Sequence, residues 1–359
     1  MITSLHHFFD QEFHDLSANT IRKFQKLKHS TCVITGGAGF VGQWLATLIE
    51  YLNRHHGFDT KIVLIDKQFD LLQQTRPDLC QNNAIELLKL DVRNIQELPN
   101  ETNWVIHAAA SPDTRMHASN PCEVMSVITD GTAAILKVLA RCSHLHMCLN
   151  ISSGLIYGHQ ELDAESIGEK MTAAVNCASA TSSYAEAKRY AETLCQAYRS
   201  QYKLPVVTVR PFTFMGPFQS LDGPWALNSF IKDALMNNCI RVLGDGKTLR
   251  SYMYASDMAI WLLTILLNAE SGEVFNVGQP EGVHLGDLAN LIKTELHQDL
   301  PIQLNMGNFN PMHHLRFVPN VDLAMKRFEL SIKHNLIESL QKTLDWYKQK
   351  INTGIKEHA

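Results

Sequence analysis

Tyr184 and Lys188 stand four residues apart in "SSYAEAK". On a helix that spacing puts both side chains on one face, within reach of a common ligand. A lysine ammonium near a phenol favours phenolate. It lowers the tyrosine toward the range where it can take a proton from a hydroxyl as hydride leaves the carbon. By itself the pattern is common, and on a surface helix it is usually a solvated pair. The octapeptide "ISSGLIYG" at 151–158 raises a second question, because Gly154 and Leu155 bring neither acid nor base to a reaction centre.

Hydride chemistry needs an acceptor, and the start of the chain reads as a dinucleotide site. "CVITGGAGFVGQW" carries Gly36, Gly39 and Gly42 out of a strand and into a helix, with Phe40 and Val41 in its first turn. The backbone can then turn tightly, approach a pyrophosphate and aim the helix N-terminus at its charge. The next strand, "KIVLID", ends in Asp66, 24 residues beyond Gly42. A carboxylate there accepts from the adenosine ribose hydroxyls and repels a 2'-phosphate, which favours NAD over NADP. Two further strand ends fit the same site. Asp91 and Val92 in "KLDVRN" are expected near the adenine, and Ala108, Ala109 and Ala110 in "HAAA" let the dinucleotide lie against the backbone. Glycines also form plain turns, and strand-end acids also cap helices; four such features in order outweigh that account.

The elements that must position these residues alternate: "TCVIT", a helix from Phe40, "KIVLID", "IELLKLDV", "NWVIHAAA", a helix from about Pro121 to Cys142, "HMCLNISS", a helix around Tyr184 to Tyr202, and "PVVTVRP". Apolar strands separated by helical patterns predict an α/β fold, a Rossmann-type doubly wound parallel sheet. After Pro211 the texture loosens into Gly/Pro-rich turns, short strands at "IRVLG" and "EVFNVG", and helices near 225–237, 285–297 and 333–349. The expected division is an N-terminal extension at 1–30, with a helix near "TIRKFQKLKH", a dinucleotide-binding domain at 31–211 and a smaller, mostly substrate-binding lobe at 212–359. Trp225 and Leu227 fit lobe packing better than a pocket lining.

From about Thr31 to about Lys348 the chain resembles the extended short-chain dehydrogenase/reductases that act on nucleotide sugars, the epimerase/dehydratase group. The resemblance rests on "TGGAGFVG", "HAAA", "ISSGLIYG", "SYAEAK", "RPFTFMGP", "GDGKTLRSYMYASD" and "FNVG" in that order. It implies that Ser153 hydrogen-bonds the sugar 4-hydroxyl, that Tyr184 is the general base and that Lys188 also holds the nicotinamide ribose. It further implies that Arg250 and Arg316 clasp a nucleotide diphosphate, a task suited to a planar multi-donor cation, with Ser111 and Thr213 beside the substrate. A homodimer through a four-helix interface, built from the helices near 121–142 and 182–202, is implied as well. Two positions depart from the group: Thr213 and Ile128 stand where asparagine is common.

The octapeptide then becomes informative. In 4,6-dehydratases of the group the two residues after the Ser/Thr are typically an acid pair, and in the related decarboxylases the second is a glutamate. Eliminating water without positioned acid-base groups forgoes about 10²- to 10⁴-fold per group. The expected activity is therefore NAD-dependent oxidoreduction at one carbon of a nucleotide-activated sugar, foremost C4, as a 4-epimerase or a 4-dehydrogenase/4-ketoreductase in cell-surface polysaccharide or deoxysugar synthesis. The alternative is a 4,6-dehydratase or decarboxylase with substituted groups, for which His159, Glu161 and Cys177 are the candidates.

Bulk properties narrow the remaining classes. A formal net charge of -4 offers no clustered basic surface for nucleic acid or an anionic membrane. Eight scattered cysteines without a C-x-x-C pair read as reduced thiols. The longest apolar run, "MAIWLLTILL", is too short to cross a bilayer, and the start lacks a signal pattern, so a cytoplasmic location is expected. Seventeen histidines include neighbouring pairs but no H-E-x-x-H, and no metal site is expected. A non-catalytic dinucleotide-binding protein is disfavoured by the presence of both Tyr184 and Lys188.

Overall fold

The computed structural model describes residues 2–158, 166–172, 175–236, 239–296, 299–305 and 316–352. Strand β1 (Thr31–Thr35) is buried at every residue, as a short apolar run is when helices cover both faces of a sheet. Two helices precede it, α1 (Ile2–Phe13) and α2 (Ala18–Phe24); Ser17 caps the second by accepting from Thr20 N.

Helix α3 (Phe40–His56) leads to β2 (Lys61–Asp66), the short α4 (Asp70–Thr75) and α5 (Pro77–Cys80), then β3 (Ile85–Lys89). The chain crosses back to β4 (Thr102–His107) and continues through α6 (Thr114–Ser119), α7 (Pro121–Leu139), β5 (Met147–Ile151), α8 (Ser183–Tyr202) and β6 (Val206–Pro211). Beyond these come β7 (Phe214–Met215), α9 (Ala226–Leu235), β8 (Ile240–Leu243), β9 (Leu249–Arg250), β10 (Met253–Tyr254), α10 (Ala255–Asn268) and β11 (Val274–Val277). The last elements are β12 (Val283–His284), α11 (Leu285–Glu295), β13 (Ile302–Asn305), β14 (Arg316–Phe317), α12 (Asp322–Phe328) and α13 (Leu336–Asn352).

Seven parallel strands form the central sheet in the order β11-β6-β5-β4-β1-β2-β3. The order reverses between β1 and β4, and a doubly wound sheet opens a ligand crevice at the carboxyl ends of its strands there. The fold is thus the Rossmann-type α/β sheet that the strand pattern predicts. Its last strand, β11, comes from "EVFNVG", so the chain returns to the sheet after building part of the second lobe. That lobe has its own core, in which Leu227, Phe230 and Ile231 of α9 meet Leu288 and Ile292 of α11 and Leu340 of α13.

Residues 2–27 hold more structure than the one helix expected near "TIRKFQKLKH". Leu5, Phe9 and Phe13 recur every four residues, which makes α1 an amphipathic helix with a buried stripe. Phe9 meets Trp44 of α3 edge-on at 5.3 Å and stacks on Phe218 at 5.6 Å, while Phe8 touches Trp346 of α13 at 4.9 Å. Helix α1 therefore binds the dinucleotide side of the molecule to the second lobe. Arg76 lies fully buried in this aromatic cluster. Asp78 takes two of its donors at 2.7 and 3.0 Å, Thr47 takes another at 2.7 Å, and its guanidinium carbon lies 4.2 Å from the Phe9 ring centre.

Candidate active site

The crevice at the switch point is lined by Gly36, Gly39, Asp66, Asp91, Val92 and the Ala108 to Ser111 backbone, with Met116, Glu123 and Val124 on its far wall. Gly36 has φ +69°, and a Cβ there would sit 2.7 Å from Ala108 O, so only glycine lets β1 and β4 end this close together. A Cβ on Gly42 would meet Gly36 O at 2.6 Å, so this glycine is required for packing α3 against the turn. Phe40 and Val41 likewise pack on the core rather than line the crevice.

Asp66 accepts from Ala38 N at 3.1 Å and from Gln68 N at 3.3 Å, which holds its carboxylate at the crevice; burial raises its pKa above the usual carboxylate value. Asp91 is more heavily engaged than its strand-end position suggests. Arg93 grips both of its oxygens and also holds Glu123, and these hydrogen bonds keep Asp91 below the ordinary range. Bare glycine backbone at a helix N-terminus, a fixed strand-end carboxylate and small wall residues together fit the two phosphates, the ribose hydroxyls and the flat rings of an adenine dinucleotide.

Ser153, Tyr184 and Lys188 come together at the carboxyl end of β5. Ser153 caps the 3-10 turn Gly154–Tyr157 by accepting from Leu155 N at 3.1 Å, and its hydroxyl hydrogen-bonds Tyr184. Lys188 donates to Ile151 O at 2.6 Å and lies 5.9 Å from the Tyr184 ring centre. The expected depression of the phenol by the lysine is not what these groups produce. Burial pushes Tyr184 up to about 12, and only the Ser153 bond opposes it; burial also brings Lys188 down to about 8. A low-polarity pocket costs both charged forms, and the lysine's nearest hydrogen-bond acceptor is a carbonyl rather than the phenol.

The space beside Gly154 is filled, whereas Leu155 is exposed. A Cβ on Gly154 would come within 2.9 Å of the Phe212 ring, which packs on Phe317 at 4.5 Å. Ile128, at a position where asparagine is common, is buried against Tyr184. Of the three candidate substitutes, Cys177 is exposed, and His159 and Glu161 lie outside the described residues.

The two predicted arginines stand on adjacent strands, but β9 and β14 pair in parallel with Arg250 opposite Phe317 and Arg316 opposite Leu249, a register that sends the two side chains to opposite faces of the pair. Arg250 lies 5.6 Å over the Phe317 ring. Arg316 Nε is buried with no hydrogen-bond partner among the described residues, a donor suited to an anion. Phe317 also touches Phe212, so Arg250, lying over Phe317, adjoins the Gly154 end of the site. Thr213 offers its carbonyl to Met253 N, and Ser111 borders the crevice.

Two features escaped the motif reading. His117 stacks on Tyr184 with ring centres 4.3 Å apart and planes 16° from parallel. Arg210 joins Glu192 of α8 at 2.7 Å to the Tyr157 hydroxyl at 2.8 Å, and Tyr157 donates to Asn276 Oδ1 at 2.8 Å, which fastens α8 to β11. No local spacing connects these residues, though a histidine soon after "HAAA" was a visible signal.

The sequence model of the NAD dependent epimerase/dehydratase family matches residues 32–278. The chain belongs to that family. NAD is the family's cofactor, and the crevice residues fit it. The UDP-N-acetyl-alpha-D-glucosaminuronate decarboxylase of Bacillus cytotoxicus is 28% identical over 326 residues, covering 89% of this chain and 98% of the relative. UDP-glucuronic acid decarboxylase 1 of Arabidopsis thaliana is 26% identical over 90% of this chain and 71% of its own length. Among solved structures, UDP-glucuronic acid 4-epimerase from Bacillus cereus shares the fold with a TM-score of 0.76 at 21% identity, over 89% of this chain and 99% of that one. No helix among the described residues is long and apolar enough to cross a membrane.

Proposed function

We propose that the protein is a nucleotide-sugar 4-epimerase, in which Ser153, Tyr184 and Lys188 position the sugar and move the proton of its 4-hydroxyl. Bound NAD would accept the C4 hydride and return it. Ser153 holds the 4-hydroxyl toward Tyr184, whose phenolic oxygen takes its proton as the carbonyl forms and returns it on reduction. Lys188 holds the nicotinamide ribose and offsets the charge that develops on Tyr184. Arg250 and Arg316 hold the diphosphate while the keto sugar turns over between the two half-reactions. If the cofactor exchanges between turnovers, the same residues make a 4-dehydrogenase or 4-ketoreductase.

The observation that carries this reading is the phenyl ring of Phe212 against Gly154. It occupies the room in which the first acid of the pair, at position 154, would have to stand for elimination of water across C5 and C6. A second reading is favoured by the decarboxylases among the relatives. Oxidation of a uronic acid at C4 gives a β-keto acid, which can lose carbon dioxide without a dedicated acid pair.

Incubating the NAD-loaded protein with a panel of nucleotide sugars and uronic acids, followed by mass spectrometry and NMR, tests both. An unchanged mass with inverted C4 supports the epimerase. Loss of carbon dioxide selects the decarboxylase, and loss of water overturns the argument from Phe212.

A further inference from the structure

We infer that His117 is a positioning residue for Tyr184, its imidazole fixing the plane in which the phenol meets the substrate; the inference rests on the hydride-transfer reading of Tyr184. His117 sits in α6, buried to 7% exposure, with its ring nearly parallel to the phenol at 4.3 Å. Its Nε2 lies 2.9 Å from Ser111 O. A carbonyl can only accept, so Nε2 carries the proton and donates.

One flat ring is thereby tied to two things: the wall of the NAD crevice at Ser111 and the face of the reacting phenol. Among the described residues, Tyr184 also clusters with Val124, Ile128, Ala187 and Ala191, with Ala110 packed against them. Aliphatic neighbours constrain a ring only by close packing, whereas an aromatic partner adds a preferred relative orientation, here the near-parallel one. Ser153 fixes only the phenol's oxygen end. Stack and hydrogen bond together leave the ring one orientation.

The charged groups nearby are already accounted for. Lys188 and Glu192 lie further along α8, and Asp113, which caps α6, is held by Arg115 at 2.7 Å. His107, behind Lys188, is kept neutral by burial, which brings it down to about 3.

His117→Leu and His117→Phe separate flatness from bulk. Leucine fills volume without a planar face; phenylalanine keeps the face and gives up only the bond to Ser111. With the NAD-loaded full chain, His117→Leu should lower kcat on the order of 10- to 100-fold, as misplacement of a reacting group does, with KM changed less than about 2-fold. His117→Phe should recover kcat to within about 3-fold of the natural chain, a rescue that loss of stability alone would not give. Equal kcat in both variants and the natural chain would overturn the inference, as would a phenylalanine variant as slow as the leucine one.

A second measurement does not need a substrate. The ring-flip rate of Tyr184, read from its ring carbons by NMR and assigned with Tyr184→Phe, should rise at least about 10-fold in His117→Leu and stay near the natural rate in His117→Phe. Identical flip rates in all three chains would refute the stack. A natural chain that turns over no sugar in the panel would instead remove the epimerase reading and leave this measurement standing.

Discussion

Among the described residues Arg76 and Lys188 are the buried arginine and lysine, and their surroundings differ. Arg76, between α1 and α3, has a carboxylate on two of its donors, a threonine on a third contact and an aromatic ring over its face. Lys188, on α8, has a carbonyl 2.6 Å away and a phenol ring too distant for a direct bond, and burial lowers its pKa to about 8. Arg76 is matched in charge by Asp78 and keeps only Nη1 without a hydrogen-bond partner among the described residues, because an unmatched buried charge costs several kcal/mol. A buried titratable group left partly unmatched is typical of a site where protons move, and Tyr184, raised to about 12, must come down before it can accept one. The contrast separates the part of the molecule that holds the fold from the part that does chemistry.

The contrast can be broken most severely at Tyr184. Tyr184→Phe removes the proton carrier and should lower turnover by about 10²- to 10⁴-fold while the melting temperature changes little; full turnover would remove the tyrosine from its role. Next comes the structural cation. Asp78→Ala leaves the Arg76 guanidinium buried and unpaired, and should cost about 3 to 5 kcal/mol of unfolding free energy by denaturant titration. A loss below about 1 kcal/mol would mean that the aromatic faces and Thr47 suffice.

Lys188 gives a smaller effect with a definite sign. Its pKa is lowered by folding, from 10.5 to about 8, so between those values the unfolded chain holds the more protons. Stability from this group must therefore rise with pH across that window, by up to about 1.4 kcal/mol per pH unit. The buried thiols of Cys32, Cys148 and Cys195 are raised by burial and act oppositely at high pH. The measurement is thus the difference between the natural chain and Lys188→Met from pH 8 to 10; parallel curves would contradict the assigned shift. The smallest effect lies far from both cations. Ser17→Ala removes the cap of α2 and should cost about 1 kcal/mol in thermal unfolding, with NAD affinity unchanged.

The same two regions differ in how far a sequence reading reached them. The NAD crevice was legible because its requirements are local: Gly36 must adopt a positive φ, Asp66 must end a strand, and "HAAA" must be small. The Tyr184 and Lys188 pair was legible because helical periodicity alone puts them on one face. Helix α1 carried an equally regular stripe at Leu5, Phe9 and Phe13, but nothing local says that such a stripe will clamp two lobes together. Nothing local marks Arg76 as buried, since Phe9, Thr47 and Phe218 reach it from three distant parts of the chain.

The amino-acid order by itself determined the family, the parallel sheet, the NAD turn and the absence of an acid at Gly154 and Leu155, because each depends on residue type at short spacing. Tertiary structure alone decided that Phe212 closes the space beside Gly154, that β9 and β14 pair so that Arg250 lies over Phe317, and that His117 lies flat on Tyr184. These contacts join residues far apart in the chain, where only the packed backbone sets distance and orientation. It also reversed the expected effect on Tyr184, because the cost of removing a phenolate from water depends on burial, which no spacing encodes.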